Sequence, residues 1–237
     1  MTANPGLEHL PARYQEPWLK PFRDPIFERL EPDCSVLDIG SGRHPAIPVD
    51  ERPEGVRYVG LDLSLNELSE AGPGAYTEMI AADAATLQPQ LEESFDLVIS
   101  WQVLEHVKDL EATISNIRRY VRPGGRFVAF FSGSWSAFGV MNRLLPDRIG
   151  SKIVNRVMNR TEQNRPVFPA YYDHCHSSAL EPMLAGWGET QIVPFYAGAT
   201  YFNFSPLLQR IYLGYENQIV RRQTANLATH YLVIADR

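Results

Sequence analysis

Gly40, Ser41 and Gly42 follow directly on the apolar run Val36-Leu37-Asp38-Ile39. Glycines at the end of a buried strand let the backbone approach a bound ligand closely. A second apolar run ends in Asp62, 20 residues beyond Gly42. A carboxylate at that tip is placed to accept hydrogen bonds from both hydroxyls of a ribose. A third run ends Ala81-Ala82-Asp83-Ala84. An acid there can accept from an adenine amino group while a neighbouring backbone N–H donates to the ring. Together these spacings predict a site for a nucleoside-containing ligand. The plainer alternative is a tight turn followed by a helix-capping aspartate. The loop Gly40-Ser41-Gly42-Arg43-His44-Pro45 lacks the third glycine of a dinucleotide fingerprint, and Pro48 and Pro53 follow. Little room is left for the helix whose N-terminus would hold a pyrophosphate. A nucleoside without a pyrophosphate therefore fits better than NAD.

Histidine is the side chain best suited to accept a proton near neutral pH. His106 lies in Leu104-Glu105-His106-Val107, just after a fourth apolar run. His174 and His176 lie in Tyr171-Tyr172-Asp173-His174-Cys175-His176, before a predicted helix over 177–186. These three are the candidate bases. The competing reading is that Asp173 or Ser177 caps the helix and the histidines are surface groups. Two histidines, an acid and a thiol this close together cannot supply a full tetrahedral set, so no metal is expected.

These groups need elements to position them. Apolar runs at Ser35–Ile39, Val56–Leu61, Glu78–Ala82, Phe95–Ser100 and Arg126–Phe131 alternate with polar or amphipathic stretches. That pattern implies a parallel sheet covered on both faces. Leu104, Val107, Leu110, Ile114, Ile117 and Val121 recur at helical spacing before Pro123-Gly124-Gly125. Glu189–Tyr196 and Thr229–Ala235 predict two more strands, with a helix over 205–223 between them, opened by Ser205-Pro206. Near the start, Pro17, Pro21 and Pro25 are expected to confine helix to about 24–31.

In VLDIGSG (36–42), VGLDLS (59–64), AADA (81–84), FDLVISWQVLEHV (95–107) and RPGGRF (122–127), the chain resembles the class I S-adenosylmethionine-dependent methyltransferases of the type 11 group. The resemblance covers about residues 35–131 and, more loosely, the last two strands. It implies an α/β fold: a doubly wound, seven-stranded, mostly parallel sheet of Rossmann-like type with the last strand antiparallel. It implies S-adenosylmethionine as cofactor and S-adenosylhomocysteine as product. Asp38, Gly40, Ser41 and Gly42 would line the methionine part. Asp62 would bind the ribose, Leu63 would lie against the adenine, and Asp83 and Ala84 would read its edge. Ser100, Trp101 and Gln102 would sit beside the sulfonium. The family often holds the cofactor carboxylate at the start of its first helix, nearly absent here, and Arg43, or Arg13 and Tyr14, would substitute. Members that methylate the amino groups of adenine or glutamine carry an NPPY-type motif after the fourth strand. Ser100-Trp101-Gln102-Val103 stands there instead, which favours oxygen as the acceptor atom. The alternatives are a catalytically silent cofactor-binding module and an NAD-dependent oxidoreductase.

About 40 residues after the fifth strand exceed what this core needs. Arg148, Lys152, Arg156 and Arg160 recur there every four residues beside Ile149, Ile153 and Val157. Such a stripe predicts an amphipathic helix. The expected organisation is an N-terminal arm and cap segment (1–31) and a methyltransferase domain (32–237). Within the domain fall an inserted helical lid (133–172) and a helical insertion (199–227). Arg148, Lys152, Arg156, Tyr171 and Tyr172 are the candidate acceptor-binding residues. The plainest reading is a lid helix whose apolar face packs on the core and whose arginines are solvated; an anionic or lipid-linked acceptor, and peripheral membrane contact through 148–160, are the alternatives.

The 237 residues carry 22 basic and 28 acidic side chains, a net charge of −6. That balance argues against non-specific nucleic-acid binding and leaves a small-molecule acceptor as the expected partner. Cys34 and Cys175 form no disulfide framework. The start lacks the basic and apolar segments of a signal peptide, and no apolar run reaches the length of a membrane span. A cytoplasmic protein is expected.

Overall fold

The computed structural model of the chain describes residues 9–15, 19–136, 140 and 169–237. Its strands are β1 (Ser35–Ile39), β2 (Arg57–Asp62), β3 (Glu78–Ala81), β4 (Phe95–Trp101), β5 (Val121–Ser132), β6 (Thr190–Phe195) and β7 (His230–Asp236). They form one sheet in the order β3-β2-β1-β4-β5-β7-β6. The first five pair in parallel, and β7 runs antiparallel to both of its neighbours. The chain winds outward from β1 to β3, then restarts at β4 on the other side of β1. That reversal opens a crevice at the carboxyl ends of β1 and β4, where open α/β sheets bind ligands.

Alternation along each strand divides the core. Leu37, Ile39, Val59 and Val98 face one layer, covered by α3 (Leu110–Tyr120) and α4 (Ser177–Leu184). Val36, Tyr58, Leu97, Ile99, Val128 and Phe130 face the other, covered by α1 (Leu19–Phe27) through Phe22 and Ile26. The short helix α2 (Leu65–Ser69) follows β2, capped by the Ser64 side chain, which accepts from Glu67 N–H. The long helix α5 (Pro206–Arg221) precedes β7, capped in the same way by Ser205. Among the described residues no helix is long and apolar enough to cross a membrane.

Three expectations change. The N-terminal helix covers 19–27 rather than 24–31. Pro21 falls in its first turn, where an N–H has no intrahelical partner to lose. Pro25 is kept inside by packing: it is buried with Phe22 and Ile26, and its carbonyl accepts from Arg126 Nη1 at 3.2 Å. Arg126 also clasps Asp236 (Nε–Oδ1 2.6 Å) and Glu28 (3.0 Å), tying α1 to β5 and β7. Second, the apolar period from Leu104 to Val121 is not one helix. Leu104–His106 form a single 3-10 turn, Val107 is extended, and α3 starts at Leu110 under the Asp109 cap. Third, Pro5, Gly6 and Pro11 predict a loose arm over 1–13, yet Leu10 is buried and, with Tyr14, packs against Ala197, Ala199 and Tyr212.

Of the expected lid over 133–172, residues 137–139 and 141–168 lie outside the described residues. Arg148, Lys152, Arg156 and Arg160 are among them.

Candidate functional site

A cavity of about 400 Å³ opens at the carboxyl ends of β1 to β4. Gly40, Asp62, Leu63, Asp83, Ala84 and Gln102 line it, together with His106 and Tyr171. The strand register explains why they converge: Asp38 pairs with Gly60 and Ile99, and Asp62 with Ala81, so four strand ends finish at one level.

The glycine loop is shaped by close approach. Gly40 has φ +72°, and a Cβ there would lie 2.3 Å from Val103 Cγ1. The absent helix after it has a substitute. The Asp38 carboxylate, fully buried, accepts from Tyr58 Oη (2.6 Å) and Ala46 N–H (2.8 Å). Arg52 donates to the carbonyls of Ile47 (2.6 Å) and Ala75 (2.6 Å), with its guanidinium 3.5 Å from the centroid of the Tyr58 ring. Burial pushes the Asp38 carboxyl up to about 7. Asp38 therefore braces the loop from behind and does not line the cavity. Arg52 carried no sequence signal, because its partners are backbone carbonyls, which any residue type supplies.

Asp62 Oδ1 accepts from Ser64 N–H at 2.9 Å. Burial raises its pKa, opposed by nearby backbone N–H groups of Ser64 and Gly42. Leu63, beside it, is 66% exposed. A leucine held open at a cavity wall is apolar surface awaiting a flat partner. Asp83 Oδ1 accepts from Ala85 N–H at 2.9 Å, and Ala84 O accepts from Asn116 Nδ2 at 3.1 Å. A nucleoside fits this set: a carboxylate for a ribose, an open leucine for a base, a second acid for its edge.

Of the other expected cofactor residues, Ser41 and Gly42 continue the loop outside the cavity lining, with Tyr76 Oη donating to Gly42 O at 2.7 Å. Ser100 is fully buried, its Oγ donating to Ile39 O. Trp101 turns to the opposite layer, stacked on Phe130 with centroids 4.9 Å apart. Strand alternation accounts for that, since neighbours on β4 point to opposite faces. Gln102, at φ +57°, turns the chain back to the cavity.

The proposed carboxylate anchors are committed elsewhere. Arg43 forms a two-pronged pair with Glu67 (2.6 and 2.8 Å) and meets Glu70 (2.6 Å). Arg13 and Tyr14 bind the buried Glu216 of α5, Arg13 at 3.0 Å.

Among the histidine candidates, His106 alone lines the cavity. Its Nδ1 lies 3.0 Å from the carbonyl of Pro169. A carbonyl only accepts, so Nδ1 carries the proton and, in the neutral ring, Nε2 is left as an acceptor. His174 is exposed and pairs with Asp173 at 2.6 Å. His176 lies against Trp135, centroids 5.9 Å apart. Neither lines the cavity. Asp173 caps neither α4 nor a surface turn: its Oδ2 accepts from Leu110 N–H, at the start of α3. Ser177 is the first residue of α4 rather than its cap. Tyr171 lines the cavity, whereas Tyr172 is buried beneath it; both N–H groups donate to Glu105 O at 2.9 Å. Ile39, Leu61, Ala82, Val103, Val107, Lys108 and Pro169 complete the wall and were not foreseen as site residues. Among the described residues no cluster of acids, histidines and cysteines is arranged to hold a metal.

A methyltransferase-domain family profile matches residues 9–147. A ubiquinone biosynthesis O-methyltransferase of Rhizobium etli is 34% identical over 120 residues, covering 48% of each chain. The chain thus spans about half the length of the curated relatives it matches. Phosphoethanolamine N-methyltransferase 2 of Haemonchus contortus, solved with S-adenosyl-L-methionine, superposes with a TM-score of 0.55 at 17% identity. That match covers 93% of this chain and 52% of the other. A SAM-dependent methyltransferase of Archaeoglobus fulgidus gives 0.54 at 16% identity, over 92% of both chains. The crevice at the strand reversal, the seven-strand order and the family match agree: this chain belongs to the methyltransferase-domain family and has the fold of the class I S-adenosylmethionine-dependent methyltransferases.

Proposed function

We propose that the protein transfers a methyl group from S-adenosylmethionine to a hydroxyl oxygen of a small or medium acceptor, with His106 as the proton acceptor. The observation that carries this reading is the presence of Asp62, Asp83 and His106 in one cavity, with Nε2 of His106 as the ring's free acceptor. The R. etli relative, named an O-methyltransferase, supports oxygen.

The cofactor, when bound, supplies a methyl carbon on a positively charged sulfur. The acceptor's O–H bond breaks, its proton goes to His106 Nε2, and the oxygen electron pair forms the new C–O bond. The departing thioether is neutral and needs no acid. Asp62 and Asp83 hold the nucleoside, and Gln102 and Val103 limit where an acceptor can lie. Fixing both partners is worth up to about 7–11 kcal/mol in well-oriented systems. The Lys108 ammonium, 5.6 Å from the Tyr171 ring centroid at the rim, favours an acceptor with negative charge.

The test is His106→Gln, assayed for S-adenosylhomocysteine formation with phenolic acceptors. Turnover should fall about 10²–10⁴-fold while calorimetric affinity for S-adenosylhomocysteine stays at the parent value. Unchanged turnover removes His106 from this role.

A further inference from the structure

The outward face of α5 belongs to neither the cofactor cavity nor the core. Leu207 is 69% exposed and Ile211 62%, with Leu208 and Tyr215 beside them and Phe204, 60% exposed, in the turn before. At 100° per residue these positions fall on one side of the helix. The opposite side is fixed: Gln209, Tyr212, Glu216 and Ile219 are buried, and Glu216 is held by Arg13, Tyr14 and the N–H of Gly198. The helix cannot roll to hide its leucines without breaking that network.

Charge decides what covers the face. Between 203 and 222 the sequence has three arginines, Arg210, Arg221 and Arg222, all exposed, and one acid, Glu216, which is buried. The outward face therefore carries only positive charge, on a chain whose net charge is −6. A second copy docked through this face would set arginines against arginines. An apolar stripe with leucines, a tyrosine and a phenylalanine, flanked by arginines, suits the boundary between acyl chains and anionic headgroups. We infer that α5 docks the protein on an anionic lipid bilayer, with Phe204, Leu207 and Ile211 entering the interface and Arg210, Arg221 and Arg222 meeting the headgroups. This goes beyond the methyl-transfer reading and stands without it.

The experiment is vesicle flotation of the full chain, with phosphatidylcholine vesicles and with vesicles that also contain phosphatidylglycerol. Binding should require phosphatidylglycerol and weaken as salt is raised. Leu207→Ser with Ile211→Ser should reduce it at least about tenfold. Replacing the three arginines with glutamine should reduce it roughly a hundredfold. Melting curves and S-adenosylhomocysteine affinity should match the parent in both variants, because every altered side chain is exposed. No binding by the parent overturns the proposal, as does equal binding by parent and variants. A parent dimer that the serine variant dissociates also overturns it, assigning the face to a second copy.

Discussion

The two walls of this cavity, one proposed to hold the cofactor and the other the acceptor, are built by opposite strategies. The cofactor wall is contributed by residues at the tips of β1, β2 and β3, each fixed by the register of the sheet behind it. The acceptor wall joins His106 and Lys108 to Pro169 and Tyr171, more than 60 residues away, through Glu105 O and Pro169 O. The first wall gains its geometry from backbone ladders, and the second from a few side-chain and carbonyl contacts between distant segments. Sequence change is therefore constrained on one wall by the sheet and on the other only by those contacts.

Four substitutions sharpen that contrast. Glu216→Ala should cost most, about 3–5 kcal/mol in denaturant unfolding, because it strips partners from Arg13, Tyr14 and Gly198 N–H around a fully buried site. Cofactor affinity of the folded protein should survive, and its loss would show that the strand-tip wall depends on the packing of the N-terminal arm against α5 as well as on the sheet. Asp62→Ala should lower S-adenosylhomocysteine affinity about a hundredfold by calorimetry, at little cost in thermal stability, since two charged hydrogen bonds go with it. Parent-like affinity would break the assignment of this wall.

Asp38→Asn tests the brace behind the loop through pH. The folded-state carboxyl is raised to about 7 from 3.8. Its stabilising contribution is complete below pH 4 and is lost as pH rises through about 7. The variant, which does not titrate, should therefore gain stability relative to the parent between pH 4 and 7 and hold a constant difference above. A difference independent of pH would mean that Asp38 is ionised throughout. Leu63→Ala is the smallest change: about fivefold weaker S-adenosylhomocysteine binding, from apolar area no longer covered, with unfolding unchanged.

The same division decides what the sequence could disclose. The convergence of Gly40, Asp62 and Asp83 on one cavity was legible because each follows directly on a strand, and a strand is written locally in apolar residues. β1 was placed to the residue. Trp101 was misread because its neighbourhood in sequence is the cavity, whereas alternation sends its ring to the far layer against Phe130. The apolar positions from Leu104 to Val107 matched a helical period yet form a turn and an extended residue, since a short apolar run buries itself equally well in either. Arg43 was expected to face the ligand. Glu67 and Glu70, three residues apart on and just after α2, claim it, a pairing that local pattern does not announce. The burial of Tyr14 against Glu216 joins positions 202 apart and had no signature at all.

The two ends of the segment between 136 and 169 are sewn to the same place. Ser134 N–H and Oγ both donate to Cys175 O, at 2.7 and 3.0 Å, while Tyr171 and Tyr172 are tied to Glu105 and Asp173 to Leu110. What enters and leaves the fold here does so through a closed buckle. The entropy of spanning a fixed gap grows only slowly with the number of residues that span it. The buckle thus ties Ser134 to Cys175 and the stretch at 171–173 to the turn after β4, so these described ends keep their places beside the strand tips whatever length of chain joins them. On the proposed reading, in which His106, Lys108 and Tyr171 face the acceptor, the buckle is the clasp of that wall and the strand tips are the chassis behind it.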